Sequence, residues 1–292
     1  MGNKVYSIND QVARFQEHGL DLSCYEESKL KEILLDIGYY RLGFYSYYFK
    51  DHKSEHYIDG IKISDIVNLY YLDLDLKYIL LKYINRIEIN FRTKVIYYIS
   101  MKYKGNSLWY VDPEIMNPGH IRDFKKKIYT EKFKQDNITL KKHHEKYPDD
   151  KFAPCWKVFE YLSFGAILKI YEHINDDEVK QRVSEKYNVR DLKKFLNYLN
   201  AVRHVRNICA HSGVLFDYSL PLSVPSHPEI DFNKGDRNSP DAIFKVIGFF
   251  MNSISVNRFN DFHVEINDFF AHHNQNDILA EIIRDKIKYV YH

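Results

Sequence analysis

The chain has 292 residues, 45% of them hydrophobic and 28% charged, enough apolar side chain to bury a core without disulfide or metal staples. A net charge of +2 and a sequence pI near 8.2 exclude a uniformly basic nucleic-acid-binding surface, so any grip on a phosphate backbone has to come from a local patch. Three widely spaced cysteines, Cys24, Cys155 and Cys209, with no C-x-x-C, argue against a disulfide framework and a zinc knuckle.

The first ten residues lack the apolar core of a signal peptide, and no apolar run reaches the length of a membrane span. The expectation is a soluble, cytoplasmic protein with no membrane partner. Glycine and proline are sparse and the apolar period is 3.6 rather than 2, which predicts an all-α chain. A first helix is expected from near Ser28, with Leu30, Ile33, Leu34 and Ile37 on one stripe and Gly38 at its end. Tyr39 to Leu42 restarts a helix through Phe49. After the polar stretch 51–60, Ser64 stands where an N-cap would, before Ile66, Leu69, Leu72, Leu76 and Leu80. That pattern runs on through Ile87 and Phe91 to about Tyr103. So long a helix is unusual, and a bend or break is expected within it.

Asp112-Pro113 and Asn117-Pro118 mark a loop. The Lys-rich stretch 120–146 reads as helix, ended by Pro148 and Pro154. A helix over 156–174 is expected to break at Gly165, and two more follow over 176–187 and 190–211. Pro221, Pro225, Pro228 and Pro240 fall in an irregular stretch, and further helices are expected over 241–255, 261–272 and 277–291. The proline-containing stretch divides the chain into a helical domain over 1–220 and a C-terminal helical extension over 221–292, expected to pack on it.

The helix ending at His211 concentrates the side chains with chemistry. On a wheel of about 100° per residue with Arg203 at 0°, Arg206 falls near about −60°, Asn207 about 40° and His211 about 80°. Tyr198, Val202, Val205 and Cys209 fall on the opposite side. A polar face with Arg, Asn and His suits phosphodiester chemistry on RNA, which supplies its own 2′-hydroxyl nucleophile. Histidine, with an unperturbed pKa of about 6.5, suits proton transfer near neutral pH. The planar, permanently charged arginine suits a phosphorane. Asn207 can orient the imidazole or bond a phosphate oxygen. Neither metal nor other cofactor is expected. Pattern alone reads the same face more often as merely solvated. Cys209, on the apolar side, reads as a buried small residue rather than a nucleophile.

Arg206-Asn207-Ile208-Cys209-Ala210-His211 matches the R-N-x-x-x-H form of the R-x4-6-H motif. Four more motifs precede it in order: Gly38-Tyr39-Tyr40-Arg41-Leu42; Leu69-Tyr70-Tyr71-Leu72-Asp73-Leu74-Asp75-Leu76; Arg86-Ile87-Glu88-Ile89-Asn90-Phe91-Arg92; and Pro154-Cys155-Trp156 with Glu160-Tyr161-Leu162-Ser163-Phe164-Gly165. Together they make the chain resemble the Abi-like (abortive infection, AbiD/AbiF group) proteins of the HEPN superfamily, over about residues 30 to 215. The resemblance implies a HEPN-type helical bundle with additional helices. It implies a homodimer with its R-x4-H segments facing across a cleft. It implies metal-independent RNA cleavage through Arg206 and His211 that halts growth of a phage-infected cell. Asn207 and Arg203 stand as supporting residues beside them. Glu88 and Arg92 either form an exposed intrahelical pair worth about 0.3–0.5 kcal/mol or brace the cleft. An antitoxin, protein or RNA, could restrain the activity. The alternative is a non-catalytic RNA- or protein-binding module in which Arg206 and His211 grip phosphate without cutting.

Lys125-Lys126-Lys127, Lys132, Lys134, Lys141-Lys142 and His143-His144 form the main basic run. It either tracks RNA phosphates or is a solvated helix face. His143-His144 and His272-His273 lack the i, i+4 spacing of a zinc pair and read as surface residues.

Overall fold

A computed structural model describes residues 5–51, 53–211 and 213–291. The helical apolar period holds throughout: the described residues form helices, short 3-10 turns and isolated bridges, with no strand. No helix among them is long and apolar enough to cross a membrane.

The chain opens with α1 (Ile8–Glu17), α2 (Glu27–Asp36) and α3 (Tyr39–Ser46). The sequence reading lacked α1, whose buried side is little more than Phe15. What starts it is a capping box, with Ser7 accepting from the Asp10 N–H and the Asp10 carboxylate from Ser7. Next, α4 (Ile63–Lys102) runs unbroken for 40 residues, contrary to the expected break. It contains neither glycine nor proline, and α3 and the later helices Asp177–Ser184, Leu192–Ala210, Pro240–Ile254 and Val256–His273 all pack on it. Its N-cap is Lys62 rather than Ser64; the Asp65 carboxylate accepts the Lys62 N–H at 2.8 Å.

The Lys-rich stretch is three short helices, not one: α5 (Pro118–Lys127), α6 (Glu131–Asp136) and α7 (Ile138–Lys146). Thr130 caps α6 by accepting the Phe133 N–H, and Asn137 stands at the start of α7. Then come α8 (Cys155–Val158) and α9 (Phe164–Glu172). The break between them falls at Leu162–Ser163, where Ser163 caps α9, and not at Gly165. Gly165 lies within α9, where an added Cβ would come 3.4 Å from Arg203 Cδ. The helices α10 (Asp177–Ser184) and α11 (Leu192–Ala210) follow.

Beyond the proline-containing stretch lie α12 (Pro240–Ile254), α13 (Val256–His273) and α14 (Asp277–Ile282), the last continued by a π turn over Ile283–Ile287. Phe250 of α12 meets Tyr187 and Phe195. Phe262 of α13 packs on Tyr83, whose hydroxyl donates to Glu265 at 2.5 Å. These helices therefore share one apolar core with α4 and α11.

Candidate active site

Two helices distant in sequence, α4 and α11, frame the site. Asp191 starts α11 by accepting from the N–H groups of Lys193 and Lys194. Phe195, Tyr198, Leu199, Val202, Val205 and Cys209 are buried, which leaves the polar face outward as the wheel requires. Arg203 and Arg206 are half-buried, and Asn207 and His211 are exposed. The helix ends one residue before His211. That residue is its C-cap, with φ −121° and ψ −174°, and its N–H donates to the Asn207 carbonyl at 3.1 Å. Arg206 stands about 7.5 Å back along the axis, by helical rise.

Glu88 on α4 is the hub. Its Oε1 lies 3.3 Å from Arg92 Nη2 and its Oε2 lies 4.0 Å from Arg206 Nε. Arg92 also reaches Glu160 Oε2 at 3.4 Å and donates to the Leu162 carbonyl at 3.5 Å. The Glu88–Arg92 pair is thus intrahelical and yet not exposed, with side chains 11% and 13% accessible. It ties α4 to the start of α9 and to α11. Arg203 turns instead to its own helix, donating from Nε to Asn200 Oδ1 at 3.2 Å.

Sequence reasoning gave no role to Glu160 or to a buried group beneath the site. There Asp73 and Lys77 pair at 2.5 Å with side chains 0% and 3% exposed. The signal was present, because an acid and a base at i, i+4 interrupt an otherwise leucine-lined stripe. Taking two charges out of water costs several kcal/mol per ion unless further hydrogen bonds offset it. Those bonds come from the Tyr45 hydroxyl and from the Leu215 and Phe216 N–H groups, each 2.8 Å from Asp73. Burial pushes the Cys209 thiol up to about 12, which agrees with a packed residue and not a nucleophile.

The basic run is divided among α5, α6 and α7, and part of it is paired within its own helix. Lys127 pairs with Asp123 at 2.7 Å and Lys134 with Glu131 at 2.5 Å. His143, read from the sequence as a surface residue, is buried, with Nε2 3.2 Å from Asp150 and Nδ1 3.3 Å from Lys157 Nζ. His144 is half-buried against the Tyr129 hydroxyl at 2.9 Å. Among the described residues no three His, Cys, Asp or Glu side chains gather to hold a metal ion.

No curated protein and no solved structure matches the chain. The sequence pattern of the Abi-like protein family matches residues 32–217. That span takes in α4 and α11, and with them Asp73, Glu88, Arg92, Arg206 and His211. With well over half its length matched, the chain belongs to the Abi-like protein family.

Proposed function

We propose that this chain is a metal-independent RNA endonuclease of the HEPN type, of the AbiD/AbiF group, acting as a growth-arresting effector. Family membership points to abortive infection. The observation that carries the chemistry is the outward polar face at the end of α11. His211 is exposed there and Arg206 is only half-buried, above a fully packed apolar side. His211 accepts the proton of the RNA 2′-hydroxyl as that oxygen attacks phosphorus. Arg206 pairs with the charge that develops on the phosphorane. The 5′-oxygen leaves with a proton, giving a 2′,3′-cyclic phosphate on one fragment and a 5′-hydroxyl on the other. One histidine cannot easily serve as base and acid in the same step. A twofold homodimer supplies His211 of the partner subunit for the second role. Glu88 and Arg92 brace Arg206, Asn207 orients the His211 imidazole or bonds a phosphate oxygen, and an antitoxin, protein or RNA, restrains the toxic activity.

The test is expression of wild type beside His211→Ala, scored for growth and for RNA fragments with and without chelator. The reading requires growth arrest and chelator-resistant cleavage that His211→Ala removes. Toxicity undiminished in a well-folded His211→Ala would make the protein a non-catalytic RNA- or protein-binding module instead.

A further inference from the structure

Asp73 is completely buried on α4. Its Oδ1 accepts the backbone N–H groups of Leu215 and Phe216, both at 2.8 Å. Its Oδ2 accepts the Tyr45 hydroxyl at 2.8 Å and pairs with Lys77 Nζ at 2.5 Å. Tyr45 in turn accepts from Arg41 Nη2 at 2.9 Å. One carboxylate therefore gathers donors from α3, from its own helix and from the chain just past α11. Charge-assisted bonds of this kind are the stronger ones.

The two backbone donors matter for the site because of where they fall. Leu215 and Phe216 are buried a few residues after His211. On the other side of His211, Cys209 is packed in the core within electrostatic reach of the same Lys77 and Asp73. Gly213 brings the chain back over α11; a Cβ there would stand 2.9 Å from Ile208 Cγ2. His211 therefore falls between two anchored points, Cys209 before it and Leu215 and Phe216 after it. Packing alone does not call for a charge at this point, since well-packed apolar side chains often replace buried ion pairs without loss of stability. A carboxylate facing two successive N–H groups adds a fixed direction for the chain.

We infer that Asp73 is a positioning residue: it holds the chain at the Leu215 and Phe216 amides and, through it, sets the place of His211. The kinetic consequence of this rests on the endonuclease reading; the conformational consequence does not.

The experiment uses purified full-length protein with 15N-labelled histidine. Asp73→Leu/Lys77→Met fills the space without charge and without an acceptor, while Asp73→Asn/Lys77→Met keeps one acceptor oxygen. Hydrogen exchange at Leu215 and Phe216 and the His211 ring signals are read beside single-turnover RNA cleavage. In the Leu/Met variant, exchange at the two amides is expected to quicken at least about tenfold while α12 keeps its protection. The His211 signals shift or broaden, and cleavage falls by roughly 10²-fold with RNA affinity retained, as a small misplacement of a reacting group does. The Asn/Met variant recovers most of each loss. A Leu/Met variant with wild-type exchange and wild-type His211 signals overturns the inference, whatever its cleavage. A wild type that does not cut, with His211 displaced in the variant, overturns the endonuclease reading and upholds the positioning role. If the Leu/Met chain does not fold, Asp73→Ala/Lys77→Met carries the comparison: it too removes the acceptor oxygen, so faster exchange at the two amides is expected and unchanged exchange overturns the inference.

Discussion

Glu88 Oε2 lies 4.0 Å from Arg206 Nε, a contact between α4 and α11 that brings a carboxylate to the arginine of the R-N-x-x-x-H segment. The same carboxylate holds Arg92 at 3.3 Å. Glu88→Ala leaves a largely buried guanidinium short of an acceptor and frees Arg206 to wander. We expect a stability loss of about 1–3 kcal/mol, together with reduced RNA cleavage. Glu88→Gln, which keeps an acceptor oxygen, should lose less of both. Denaturant midpoints measured beside cleavage rates decide this, and a Glu88→Ala protein equal to wild type in both contradicts it.

The chemistry itself makes graded demands. His211→Ala removes proton transfer worth roughly 10²–10⁴ in rate. Arg206→Ala removes an electrostatic partner worth roughly 10²–10³. Arg206→Lys should recover little, because a point charge does not reproduce the planar fork. Circular dichroism should find all three folded, since neither side chain belongs to the buried face of α11. Fragments ending in 3′-hydroxyls, or cleavage abolished by chelator, speak against the mechanism.

Thiol chemistry should leave the site untouched. Cys24 is exposed, Cys155 and Cys209 are buried, and burial holds the Cys209 thiol near about 12. Alkylation of the native protein at pH near 8 is expected at Cys24, sparing the other two, with cleavage unchanged. Peptide mass spectrometry locates the label. Cleavage lost in step with Cys209 modification is the contrary result.

His120 sets a pH dependence of stability. Burial, with help from the stacked His173 and from Lys169 against the opposing Asp123, pulls its pKa down to about 4. The folded value lies below the ordinary one, so the unfolded chain takes up this proton first as pH falls. Stability from this group is complete above about pH 6.5 and declines toward pH 4, by up to about 1.4 kcal/mol per pH unit. His18, His143, His144, His204 and His273 are lowered by burial as well and act in the same direction. The informative quantity is therefore a difference: Tm should drop less between pH 7 and pH 5 in His120→Phe than in wild type. Equal drops refute the assignment.

The residues of α11 show how far the sequence reaches. Which face of that helix is buried follows from local period alone, because Tyr198, Val202, Val205 and Cys209 recur at helical spacing whatever lies opposite them. The all-α class was legible for the same reason; the five ordered motifs were legible only as a resemblance to a known family, and the family match covers the span they mark. Caps were legible less well. Ser64 had the right chemistry and the wrong place, and Thr130, Asn137 and Ser163 broke helices that apolar period alone would have continued. What the tertiary structure alone decided are the contacts that cross the chain. Glu88 meets Arg206, Asp73 meets the amides of Leu215 and Phe216, and His143 sinks toward Asp150 and Lys157. A charged residue in a linear pattern reads as solvated by default. Whether it is instead buried depends on a partner brought from elsewhere by packing, and neither the partner nor the distance is encoded in spacing along one helix.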